Sequence, residues 1–169
     1  MRPLIEVVIQ KGTAINRARL LDLKRDKRLA ANVSVVYIYS LVEEAVNYPN
    51  EMGHVVYIGE AGRPSEPTGT RFAQHISTSE TRGSDSGTIY SLSRYYWRGM
   101  KIRLKIILVE NFEARKFLER NLLSAHVKRF GALPICQGTT GSNYRTTLIS
   151  AYNPPEDHTL LLVPDLVVS

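Results

Sequence analysis

Apolar and polar positions divide this chain into short segments with different periods. Residues 4–9 are an apolar run interrupted only by Glu6 and predict a strand. In residues 14–31, Ile15, Leu20, Leu21, Leu23 and Leu29 fall on one side and Arg17, Arg19, Lys24, Arg25, Lys27 and Arg28 elsewhere, which predicts an amphipathic helix with Thr13 as its cap. Residues 33–41 alternate, so that Val33, Val35, Tyr37, Tyr39 and Leu41 share a face, and residues 54–59 supply a second strand to pair with it. The acidic segment between them carries Pro49 and Gly53 and reads as an irregular excursion.

Residues 60–69 hold too much Gly and Pro for a regular element, residues 70–77 suit a short helix, residues 80–88 a loop and residues 89–97 a helix. Residues 101–109 alternate, with Ile102, Leu104, Ile106 and Leu108 on one face and Lys101, Arg103 and Lys105 on the other, as in a half-buried strand. Residues 113–128 predict a helix with Phe117, Leu118, Leu122 and Ala125 inward, ended by Gly131 and Pro134. The order β-α-β-β-α-β-α describes a small α/β or α+β domain.

With 169 residues, 43% of them hydrophobic and 22% charged, the chain is expected to form one domain with its own core. A lone cysteine, Cys136, excludes an internal disulfide and a thiolate zinc site, which fits a reducing, cytoplasmic setting. Neither residues 1–12 nor the tail 160–168, broken by Pro164 and Asp165, reads as a signal peptide or membrane span. The net charge of +6 is regional: residues 1–34 carry 8 basic and 3 acidic groups and residues 91–145 carry 11 and 3, whereas residues 35–90 are acidic with 3 and 7. Two basic blocks fit a polyanionic partner, and equally a basic soluble surface.

Five polar residues stand out by their order: Tyr37 on one strand, Tyr57 in Tyr57-Ile58-Gly59 on the next, Arg71 and His75 one helical turn apart, and Glu119 on the later helix. Together with Val36-Tyr37-Ile38-Tyr39, Thr70-Arg71-Phe72-Ala73-Gln74-His75 and Leu118-Glu119-Arg120-Asn121, this set resembles the GIY-YIG nuclease superfamily over residues 35–130. The resemblance implies a small antiparallel sheet of about three core strands flanked by helices. Here that core would span residues 33–131, with an N-terminal strand and helix added in 1–32 and an extension in 132–169.

It also implies a DNA endonuclease. Arg71 would hold the scissile phosphate, for which its forked guanidinium is suited, and Glu119 would bind Mg2+ (or Mn2+) through one carboxylate, with water and substrate oxygens completing the shell. Tyr37 and Tyr57 would orient and deprotonate the water. A phenol is a weak base at neutral pH, so either nearby cations lower its pKa or His75 takes the proton. Gly59 lies beside the nucleic acid in this scheme.

The match departs from the family in three places. Val35 replaces the first motif's glycine, Tyr39 is a second candidate for its tyrosine, and the closing asparagine falls on Gly131 unless Asn143 takes its place. Singly, each residue has a plainer reading: a rim aromatic, a solvated arginine, or for Glu119 a salt bridge to Arg115. Lys101, Arg103 and Lys105 form either a DNA-phosphate stripe or a charged strand protected from edge pairing. Double-stranded DNA is the expected partner, with a homodimer on DNA if the cut is a symmetric double-strand break. A restriction-type enzyme, a low-specificity toxin nuclease and a catalytically silent nucleic-acid-binding module all accommodate the pattern.

Overall fold

The structure is a computed structural model that describes residues 3–80, 87–137 and 161–162. Its elements follow one another as β1 (Ile5–Ile9), α1 (Ala18–Asp22), β2 (Ser34–Leu41), β3 (Val46–Asn47), β4 (Met52–Gly53), β5 (Val55–Ala61), α2 (Thr70–Ala73), α3 (Tyr90–Trp97), β6 (Ile102–Val109) and α4 (Phe112–Phe130). Four strands form one antiparallel sheet in the order β1-β6-β2-β5, so the chain is α+β. The strand-rich run of residues 33–61 forms the expected long-looped hairpin of β2 and β5. Its excursion is less irregular than expected, because β3 and β4 pair there as a small separate ladder. Among the described residues, no helix is long and apolar enough to cross a membrane.

The sheet is a middle layer. Val35, Tyr37, Tyr39, Leu41, Leu104 and Ile106 point to one face, under Leu20, Leu23, Leu29, Phe72, Leu92 and Tyr96 from the helical segments. Val36, Ile38, Ile58 and Ile107 point to the other, under Leu118, Leu122, Leu123 and Phe130 of α4, and Leu162 joins that cluster from the C-terminal segment. Covering both faces overturns the half-buried reading of residues 101–109. Lys105 is 9% exposed, and Leu108, at the rim, is 54% exposed.

Three helix expectations are corrected in the same way. Residues 14–31 form α1 followed by two 3-10 turns, Leu23–Arg25 and Lys27–Leu29, because Asp26 is extended and its carboxylate accepts from the Arg28 amide to start the second turn. Thr13 is not the cap; its hydroxyl donates to the Gln10 and Ile15 carbonyls. Residues 70–77 are helical only over Thr70–Ala73. In α4, capped by the Asn111 side chain and closed by Gly131 in the left-handed region, Phe117 is 59% exposed, whereas Arg115, Leu118, Glu119, Leu122, Leu123 and His126 are buried. Leu118, Leu122 and Ala125 face inward as expected, but the inward stripe also takes in Arg115, Glu119 and His126, so counting apolar residues misplaces Phe117 and misses the polar members.

An unpaired outer edge on β5 would leave strand N–H and C=O groups open. The segment after α4 covers this edge instead. The Cys136 amide donates to the Val56 carbonyl at 2.8 Å. The Gln137 side chain accepts from the Ile58 amide at 3.1 Å and donates to the Ile58 carbonyl at 2.8 Å, acting as one rung of a further strand. Gln137→Ala is expected to lower unfolding free energy by roughly 1–3 kcal/mol, since both bonds are partly buried, and to speed hydrogen exchange at Ile58. Unchanged stability in urea titration together with unchanged exchange would show that the edge does not need this clamp.

Candidate active site

Register builds the site. Pairing of Tyr37 with Gly59 and of Tyr39 with Tyr57 puts the three tyrosines on the same face at the outer end of the sheet. Tyr37 and Tyr57 stack with ring centroids 6.0 Å apart. Tyr37 and Tyr39 meet edge to face at the same separation. Gly59 is required here, because a Cβ would stand 2.6 Å from the Tyr37 hydroxyl oxygen and 2.7 Å from the Tyr57 ring. His75 enters this group from the turn after α2. Its Nδ1 lies 2.8 Å from Tyr39 Oη and its Nε2 lies 3.4 Å from Tyr37 Oη. A neutral imidazole has one donor and one acceptor nitrogen, so one phenol donates to the ring and the other accepts from it.

The elements around α2 hold this geometry. The Gly69 amide donates to the Leu29 carbonyl, and the Thr68 hydroxyl donates to the Val33 carbonyl at 2.6 Å, fastening the start of α2 to the N-terminal segment. Phe72, on α2, packs edge to face on Tyr37 and also meets the His75 ring. The His75 carbonyl accepts from the Ile89 amide at the start of α3, and Ser93 of α3 accepts from the Ser77 amide. The basic N-terminal segment therefore turns its buried leucines toward the layer that carries Arg71.

Electrostatics separates the members of the group. His75 is 0% exposed, and burial, reinforced by the positive charge of Arg71, pushes its pKa down to about 3. It is neutral at physiological pH. Burial pushes the Tyr37 and Tyr39 phenols well above the usual phenol range, with the Tyr57 phenol adding to the rise and Arg71 opposing it. Arg71 is close enough to Tyr37 for its charge to favour the ionised phenol. Tyr57 is only partly buried; burial raises it, Arg71 and a hydrogen bond from Tyr37 pull it back, and the Glu119 carboxylate is near enough to raise it. Of the three phenols, Tyr57 alone reaches solvent.

The structure thus brings Tyr37, Tyr57, Gly59, Arg71 and His75 together, with buried Glu119 of α4 close enough to act on Tyr57. Tyr39 shares the cluster through His75. Lys101, Arg103 and Lys105 stand apart. Arg103 and Lys105 alternate with Leu104 and Ile106, placing them on the sheet face opposite the tyrosines. Lys101 pairs with Glu43, and Arg103 Nε lies 3.1 Å from Glu6. Asn143 lies outside the described residues.

Sequence reasoning missed Glu60, whose carboxylate meets Arg115 Nε and Lys116 Nζ, each at 2.5 Å. It considered Arg115 only as an alternative salt-bridge partner of Glu119, and Arg115 reaches Glu60 across the gap between α4 and β5. The only signal was adjacency to the Tyr57-Ile58-Gly59 motif.

Among the described residues, no group of three or more His, Cys, Asp or Glu side chains could hold a metal by itself. A hard cation at this corner would have one carboxylate ligand, Glu119, with waters and substrate oxygens completing the shell, an arrangement that magnesium accepts.

Two buried histidines give the fold a defined pH response. His126 is also 0% exposed, with burial pushing its pKa down to about 4. In the unfolded chain both rings take protons below about pH 6.5, whereas the folded protein resists protonation until much lower pH. The unfolded state therefore binds more protons between these values, and stability falls as pH drops below 6.5, by up to about 1.4 kcal/mol per pH unit for each ring. Urea titrations at pH 7.5, 6 and 5 are expected to show this loss, reduced in His126→Gln. A flat profile would mean that the rings titrate normally in the fold.

No family model, curated protein or solved structure matches the chain.

Proposed function

We propose that this protein is a divalent-metal-dependent DNA endonuclease of the GIY-YIG type that hydrolyses phosphodiester bonds. The observation that carries this reading is the convergence of Tyr37, Tyr57, Arg71 and His75 from β2, β5 and the α2 turn at one corner, with the buried carboxylate of Glu119 acting on Tyr57 from α4. Hydrolysis of a phosphodiester needs a positioned water and stabilisation of charge on the phosphoryl oxygens. Arg71 supplies a fork of donors for those oxygens. Glu119 holds the cation, which neutralises phosphoryl charge when bound.

Tyr57, the phenol that reaches solvent, orients the water. Tyr37 and His75 are positioning residues in this scheme: both are buried, and they fix the Tyr57 ring and the Arg71 side chain from behind. A binding module without chemistry has no use for a buried carboxylate beside a phenol at its phosphate site, which favours the enzyme over the silent alternative. The cleaved strand lies at Arg71, and the β6 residues Lys101, Arg103 and Lys105 have no part in holding it. Base readout falls to the loops of residues 42–53 and 60–69, and a symmetric double-strand break requires two chains on one duplex.

Incubation with plasmid DNA and Mg2+ is expected to give nicked or linear product. Glu119→Gln is expected to lower the single-turnover rate by roughly two or more orders of magnitude while DNA binding stays intact. Arg71→Ala is expected to reduce the saturated rate far more than affinity. Near-normal cleavage by a folded Glu119→Gln protein would end this assignment, and a loss confined to binding in Arg71→Ala would make that residue an ordinary phosphate contact.

A further inference from the structure

Arg71 opens onto a cleft of about 230 Å³ that is lined also by Glu60, Gly62, Arg63, Thr68 and Arg115. One wall is α4, from which Arg115 reaches across to β5. Arg115 is 7% exposed, yet its guanidinium lines this open cleft and lies directly against Gly62, where a Cβ would overlap Nη1. Gly62 is thus the gap through which the arginine reaches the cleft. Glu60 grips the same guanidinium through Nε, and Lys116 lies on the other carboxylate oxygen. Arg63 is engaged by Glu66 in the lining loop. With Arg63 offset by Glu66, counting Glu60 against Arg71 and Arg115 still leaves the cleft lining with an excess of positive charge.

Holding an arginine under such enclosure is costly unless a group complements it. Glu60 does so at Nε and the Phe112 ring lies 5.0 Å from Arg115 Cζ, while guanidinium geometry offers further in-plane donors that match phosphate oxygens.

We propose that this cleft is a second phosphate subsite, in which Arg115, oriented by Glu60 and admitted by Gly62, holds the phosphate adjoining the one at Arg71 on the same DNA strand. This rests on the nuclease reading for its substrate and deepens it: two arginines lining one cleft, Arg71 from α2 and Arg115 from α4, fix the strand's direction and seat one particular bond at the chemistry. Arg115 is a binding residue of the subsite, and Glu60 and Gly62 are positioning residues.

The test is the salt dependence of binding to a short DNA duplex, measured by fluorescence anisotropy in EDTA so that no cleavage is needed. Each phosphate contact contributes about 0.7–0.9 to the slope of log affinity against log salt. Arg115→Gln is expected to lower the slope by about that amount. Gly62→Ala is expected to do the same without altering charge, because the added Cβ displaces the guanidinium. Glu60→Gln is expected to act in the opposite sense and tighten binding, since it releases positive charge to the cleft; a merely structural salt bridge would weaken binding in both charge variants. Thermal melts identify any variant that does not fold.

Unchanged slopes in folded Arg115→Gln and Gly62→Ala proteins would overturn the subsite, even if the wild-type protein cuts DNA in Mg2+. Lowered slopes in a protein that does not cut DNA would keep the subsite and overturn the nuclease reading. Absence of any duplex binding would overturn both.

Discussion

A neutral histidine enclosed between two phenols organises this molecule. His75 can bridge Tyr39 and Tyr37 only if one ring nitrogen carries a proton and the other does not, and complete burial beside Arg71 enforces that state across the physiological pH range. The bridge ties the turn after α2 to the central strand β2. Two features of this corner follow from there: the stack of Tyr57 on Tyr37 and the need for glycine at position 59. A protonated ring would lose its acceptor and bring a second positive charge toward Arg71, so the arrangement depends on desolvation as much as on hydrogen bonds.

The additions on either side of the hairpin-and-helix unit act as supports for this corner. The N-terminal segment holds α2 through the Leu29 carbonyl, which accepts from the Gly69 amide, the Val33 carbonyl, which accepts from the Thr68 hydroxyl, and the leucines beneath it. The segment after α4 closes the outer edge of β5 with Gln137, whose side chain bonds Ile58, the residue between Tyr57 and Gly59. On the opposite face Glu60 fastens β5 to Arg115 and Lys116 of α4, the helix that carries Glu119. Strand β5 is therefore held at its outer edge and on its α4 side, which is what a site built on an edge strand needs to stay in place.

Sequence periodicity made the sheet legible because the strands obey the period of two: the face shared by Val35, Tyr37, Tyr39 and Leu41 is the face seen, and the β2–β5 pairing follows from it. The polar order Tyr37, Tyr57, Arg71, His75 was equally legible. Less was visible where burial and polarity part company. Helix α4 buries Leu118, Leu122 and Ala125 as a hydrophobic count expects, but it also buries Arg115, Glu119 and His126 and exposes Phe117, which that count does not reveal. Alternation on β6 signalled an exposed basic face, but α4 and the Leu161–Leu162 segment lie on that side, and a chain pattern does not say what covers the second face of a sheet. The link from Glu60 to Arg115 spans residues far apart in the chain, and only the fold brings them together.

The most direct test is the pH–rate profile of single-turnover DNA cleavage in Mg2+, compared between the wild-type protein and His75→Gln. With His75 neutral and acting only through Tyr37 and Tyr39, the substitution is expected to lower the rate at every pH from 5.5 to 8.5 and to leave the shape of the profile unchanged. A wild-type limb with an inflection near pH 6.5 that disappears in His75→Gln would show a titrating histidine in the reaction and contradict the account, as would a wild-type protein that leaves DNA intact.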